Sequence, residues 1–132
     1  MKVLKKMIVI VLATVLLGCA SSNTIHFGSI DTNEKTISAP PGTKGIVGPL
    51  KQVLFSEGWM VDEYDLQPTR YKLVINTVRA QLVCWNEFSE ISYEVFLVDT
   101  STGREIFVIS GDDCDDFSKA STAFRNALKK AN

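Results

Sequence analysis

Residues 91–110, ISYEVFLVDTSTGREIFVIS, constrain the fold more than any other stretch of the chain. Two β-branched and aromatic runs, Ile91–Val98 and Glu105–Ser110, flank Asp99 to Gly103. Runs of this kind read as strands, and Gly103 can supply the positive φ that a short connecting loop demands. A β-hairpin with this much apolar content needs a sheet around it and a cover for one face. The cover is legible nearby. Phe117, Ala120, Phe124, Ala127 and Leu128 recur at helical spacing, with Lys119, Arg125 and Lys129 on the other side, which predicts an amphipathic helix. From Thr43 to Glu57, Ile46, Val47, Leu50, Val53 and Leu54 share a second helical face. Pro49 fits the first turn of that helix, and Gly58 stops it.

Further strands fill in around these elements. WMVDEY, Trp59 to Tyr64, leaves the first helix as a strand, and LQPT then turns the chain. Residues 70–85 read as one long strand whose alternation changes phase. Tyr71, Leu73 and Ile75 share one face, while Val78, Ala80, Leu82 and Cys84 have the opposite parity. A bulge near Asn76–Thr77 would reconcile the two, because one extra residue flips every later side chain. An edge strand fits Thr24 to Ile30, and Pro40-Pro41-Gly42 breaks the chain. The expected fold is α+β, a mainly antiparallel four- to five-stranded sheet with two helices packed on one face.

The N-terminus carries a different signal. Lys2, Lys5 and Lys6 precede a short apolar run, Met7 to Leu17, that is too short for the roughly 20 residues of a membrane-spanning helix. This is the layout of a signal peptide. Leu16-Leu17-Gly18-Cys19 resembles the lipobox of bacterial lipoproteins. The resemblance implies cleavage before Cys19 and acylation of that cysteine. With Ala20 and Ser21 following, and no Asp at the inner-membrane retention position, it also implies an outer-membrane, periplasm-facing protein. The expected organisation is a signal peptide over 1–18, an acylated N-terminus and tether over 19–42, and a globular domain over 43–132.

Removal of residues 1–18 takes away three lysines and no acids, leaving eleven basic against fifteen acidic residues and a net charge of −4. That balance excludes a nucleic-acid binder, which needs a basic stripe. The other two cysteines, Cys84 and Cys114, form an even pair that reads as a disulfide in an oxidising compartment. Such a bond closes a loop of about 30 residues and stabilises by about 3–4 kcal/mol in the chain-entropy model. A redox role is disfavoured by the spacing, which is not C-x-x-C.

Catalytic constellations are lacking. His26 is the sole histidine and lies in the expected tether, so a Ser–His–acid hydrolase has no base in the domain. Zinc would need more nitrogen and sulfur ligands. GDDCDDF carries Asp112, Asp113, Asp115 and Asp116, but without calcium-loop spacing. The simpler expectation is that Asp115 or Asp116 caps the last helix. GTKG, Gly42 to Gly45, lacks the phosphate-loop spacing, and the pairs Asp62–Glu63 and Glu87 with Glu90 read as solvated charges. No metal, cofactor or enzymatic activity is expected.

Trp85 and Phe88, in the CWNEF turn, are candidate partner-binding residues, with Tyr64 as a further aromatic, because large aromatics dominate interface hot spots; Arg104, in TSTGR, is the residue an inhibitor loop would aim at catalytic carboxylates. Trp59 is expected to plug the core beneath the first helix.

Three segments carry a family resemblance: Leu50, Leu54, Gly58, Trp59 and Val61; Tyr71, Leu73, Val74 and Ile75; and Tyr93 to Phe107. The chain from Thr43 to Lys130 resembles small α/β domains of outer-membrane lipoproteins and periplasmic assembly factors. Examples are the activator lipoproteins of penicillin-binding proteins and the amino-terminal domain of the Tol-system translocation protein. The resemblance implies a lipid-anchored periplasmic adaptor that binds an envelope-assembly or secretion partner. A small inhibitor of a cell-wall-degrading enzyme and a secretion pilotin are the alternatives.

Overall fold

The computed structural model describes residues 22–64, 66–83, 89–114 and 116–132. Its elements in chain order are β1 Ser22–His26, β2 Thr36–Ala39, α1 Val47–Ser56, β3 Met60–Glu63, β4 Tyr71–Val83, β5 Ser89–Asp99, β6 Arg104–Asp113 and α2 Ser118–Ala131. The six strands form one sheet in the order β1-β6-β5-β4-β2-β3.

The fold is α+β with two helices, but the sheet is larger than expected and mixed. β1, β6, β5 and β4 pair antiparallel, whereas β2 runs parallel to both β3 and β4. The sixth strand is β2, four residues of sequence TISA within the stretch read as a tether. Ile37, Ser38 and Ala39 are buried there, because β2 lies inside the sheet between β4 and β3. Two pieces of the polar N-terminal segment, Ser22–His26 and Thr36–Ala39, are therefore strands of the sheet.

The β5–β6 hairpin forms as read, with Leu97 opposite Phe107, Val98 opposite Glu105 and Ile106 bulged between them. β4 corrects the expected bulge. Its pairing with β5 runs unbroken from Tyr71 to Arg79, and the irregularity falls between Arg79 and Val83. Val78 therefore stays on the face opposite Tyr71 and Leu73, and is 69% exposed.

One face of the sheet holds the core. Tyr71 and Leu73 of β4, Tyr93, Val95 and Leu97 of β5, and Phe107 and Ile109 of β6 are buried against Leu50, Val53 and Leu54 of α1 and Phe124 and Leu128 of α2. Phe107 meets Phe124 edge-on with ring centroids 5.9 Å apart, and Trp59 meets Tyr71 likewise at 5.5 Å. Such edge contacts suit the quadrupoles of the rings.

The helix ends show how the chain is punctuated. After α1, Gly58 adopts φ +80°. Its N–H donates to the Phe55 carbonyl, and the Trp59 N–H donates to that of Leu54, the paired bonds of a Schellman stop. At α2 the expected cap is displaced. Phe117 occupies the N-cap position with φ 51° and no side-chain cap. Asp113, only 1% exposed, reaches across instead, and its Oδ2 accepts the Ala120 N–H at 2.7 Å. Asp116 accepts only from Ser118, at 3.3 Å, and Asp115 lies outside the described residues.

Candidate partner-binding surface

Both helices cover the same face, so among the described residues no helix covers the other face of the sheet. In an antiparallel ladder, directly opposed residues point the same way. Ile25, Val108, Phe96 and Val74 are opposed in turn across β1, β6, β5 and β4, giving an apolar row on that other face. Asn23, Ser110, Glu94 and Asn76 form the polar row on one side of it.

On the other side the sheet ends at the β5–β6 turn, Thr100 to Gly103, where two clefts meet the surface. A cleft of about 460 Å³ is lined by Phe27, Gly28, Thr102, Arg104, Glu105 and Ile106. A second, of about 380 Å³, is lined by Ser38, Leu66, Gln67, Pro68, Thr69, Lys72 and Thr100. The turn thus stands between them, contributing Thr102 to one and Thr100 to the other. Each cleft has an exposed apolar side chain, Phe27 at 61% and Leu66 at 69%.

This end of the sheet is tightly tied. Asp99, at the end of β5, receives Arg70 through Nε at 3.1 Å and Nη2 at 3.2 Å. Arg70 Nη1 also meets Glu34 at 2.7 Å, so one guanidinium joins the loop before β2 to the start of β4 and the end of β5. Asp99 Oδ1 further accepts the Ser101 N–H and hydroxyl, at 2.9 and 2.6 Å. Thr100 Oγ1 donates to the Thr69 and Arg70 carbonyls, and Gly103, at φ +69°, donates its N–H to the Asp99 carbonyl. Burial pushes the Asp99 carboxyl up, but the hydrogen bonds from Arg70 and Ser101 outweigh it and hold the group below its ordinary range. An anionic Asp99 is what those donors require.

The sequence-predicted residues separate. Arg104 is exposed and lines the larger cleft. Trp85, Phe88, Cys84 and Cys19 lie outside the described residues. Cys114, just after β6, is half-buried. Trp59 is 4% exposed, in the core. His26 belongs to β1, its ring 5.6 Å from Phe107. Burial, followed by the charge of Lys130, lowers its pKa. Phe27 belongs to the alternating stretch read as an edge strand and Leu66 to the LQPT turn; neither is singled out for binding, because nothing local to either stretch marks the surface they share with the hairpin end. Among the described residues, no cluster of three or more His, Cys, Asp or Glu side chains is placed to hold a metal ion. Asp112 instead accepts the Ser92 hydroxyl at 2.6 Å.

No protein-family model matches the chain, and no curated protein matches it. Solved structures do share its fold. The PelC dodecamer from Paraburkholderia phytofirmans superposes with a TM-score of 0.51 at 12% identity, over 82% of this chain and 93% of that one. A point variant of the same dodecamer gives 0.50 at 12% identity, over 82% and 91%. A candidate lipoprotein from Caulobacter crescentus is more distant, with a TM-score of 0.33 at 17% identity over 73% of this chain and 82% of that one.

Proposed function

We propose that this chain is a lipid-anchored periplasmic adaptor, held in the outer membrane through acylated Cys19, that binds an envelope-assembly or secretion partner through the β5–β6 turn and its two flanking clefts. The observation that carries this reading is the pairing of a rigid turn with exposed apolar side chains. Arg70 and Asp99 fix the turn, and Phe27 and Leu66 flank it within reach of Arg104 and Lys72. Exposed apolar groups on a rigid scaffold beside an arginine are what a protein interface uses as anchors. The role is binding rather than catalysis. A Cys84–Cys114 disulfide belongs to the same reading, since it suits the periplasm.

The test is photo-crosslinking in intact cells with probes at Phe27, Thr102 and Arg104, followed by mass spectrometry. The expected result is one dominant protein adduct, reduced by Arg104→Glu. No protein adduct at any of the three sites, with normal folding and acylation, would overturn the adaptor reading. The adduct's identity also separates neighbouring readings. A cell-wall-degrading enzyme would mark the chain as an inhibitor that presents TSTGR. A second copy of this chain would mark it as a self-assembling subunit, a use the fold has in the PelC dodecamers.

A further inference from the structure

The sheet ends in two unlike edges, β1 and β3, and among the described residues neither is paired on its outer side. β1, SNTIH, has no carboxylate, lysine, arginine or proline, so it lacks the usual guards of a sheet edge. β3, MVDE, ends in two carboxylates. The bonding phase of each edge follows from its inner side. The Phe27 N–H donates to the Ile106 carbonyl at 2.8 Å. Bonded and non-bonded pairs alternate in an antiparallel ladder, so Asn23 and Ile25 serve β6 while Thr24 and His26 turn their N–H and C=O groups outward. In β3 the N–H groups of Met60 and Tyr64 donate to the carbonyls of Lys35 and Ala39, which leaves Val61 and Glu63 turned outward. These four outward residues share the helix face. Thr24 and His26 lie opposite buried Ile109 and Phe107, and Val61 and Glu63 lie opposite buried Ile37 and Ala39.

Strand direction completes the match. From β1 to β4 the direction alternates, and β2 and β3 both run with β4, so β3 runs opposite to β1. A second copy set alongside without being turned over therefore brings its β3 antiparallel to β1, the more stable kind of ladder. With Glu63 opposite Thr24 and Val61 opposite His26, all four residues of β3 are used. Met60 then falls opposite Phe27, and the two side chains, 69% and 61% exposed, cover one another. Glu63 stands over a cleft of about 160 Å³ lined by Thr24, His26, Asn126, Ala127 and Lys130. Among the described residues Lys130 has no carboxylate partner, and Glu63 meets only the Gly42 N–H, at 3.4 Å. Like edges do not match. β3 against β3 would set the carboxylates of two copies together, and β1 against β1 would leave Lys130 unanswered.

We propose that the β1 edge of one copy takes up the β3 edge of a second copy, an antiparallel join closed by Glu63 and Lys130. Each copy offers a different edge on each side, so the contact is heterologous and repeats, closing into a ring or running on as a filament. It stands apart from the adaptor reading, whose probes at Thr102 and Arg104 belong to the β5–β6 hairpin and to neither edge. The test is a benzophenone probe at Ile25 in the full-length chain, crosslinked in intact cells and mapped by mass spectrometry. Within one copy five strand spacings, about 24 Å, separate β1 from β3, so a link from position 25 to β3 joins two copies. The expected product is two chains linked from position 25 to the peptide that holds Met60 to Glu63. Glu63→Lys and Lys130→Glu should each cut its yield about tenfold, a change of about 1.4 kcal/mol. The double variant should restore it, with native circular dichroism in all three. No two-chain product, a link to any part of the chain other than β3 or to another protein, or a folded double variant that does not regain the link would overturn the proposal.

Discussion

At the residue scale, the positions that matter most are polar groups doing structural work far from their sequence neighbours. Asp113 sits seven residues before Ala120 yet accepts its N–H from inside the core. The cluster GDDCDDF displayed the supply of carboxylates; of the two expected caps Asp116 reaches only Ser118 and Asp115 lies outside the described residues, while the αL turn at Phe117 carries the chain back past Asp113. Asp113→Ala should cost about 1–2 kcal/mol or more, as a buried cap is lost. Asp116→Ala should stay within about 0.5 kcal/mol. Urea unfolding of the two variants checks both. Tyr93 offers a pH signature. Its hydroxyl is buried with no hydrogen-bond partner among the described residues, and burial, then the charges of Asp113 and Asp112, push its pKa up to about 12. The unfolded group titrates near 10, so the unfolded chain loses this proton first. The Tyr93 contribution is complete below about pH 10 and fades as pH rises towards about 12. In urea melts across that window, Tyr93→Phe should show a shallower loss of stability than the parent protein.

At the scale of elements, local pattern was enough for the β5–β6 hairpin and for both helices, because each buries one face at its own period. The Gly58 stop and the first-turn Pro49 were legible for the same reason. β2 was not. Four residues, half of them hydroxylic, carry no period long enough to read, and their place inside the sheet comes from parallel pairing across the α1 crossover. The phase change in β4 was visible but its cause was misread. A bulge would have buried Val78, whereas the strand keeps its register through Arg79 and leaves that valine exposed. Edge strand β1 was anticipated a little downstream of its position. Arg104 could be picked out from its turn, but Phe27 and Leu66 become part of a surface only when the β1–β2 loop and the β3–β4 connection meet the hairpin end.

At the scale of the whole molecule, the division of labour follows from a sheet whose two helices, among the described residues, cover one side. The helices and the core face account for stability, and the Arg70–Asp99 ties make one end of the sheet a firm platform. In the proposed reading, acylated Cys19 is what ties that platform to the membrane. The adaptor reading depends on that cysteine, and the most direct measurement is the mass of the mature N-terminal peptide recovered from the membrane fraction. The account predicts a peptide that begins at Cys19 and carries acyl chains, together with loss of membrane retention in Cys19→Ala. A mature chain that begins elsewhere, with an unmodified cysteine and no dependence of retention on it, would contradict the account.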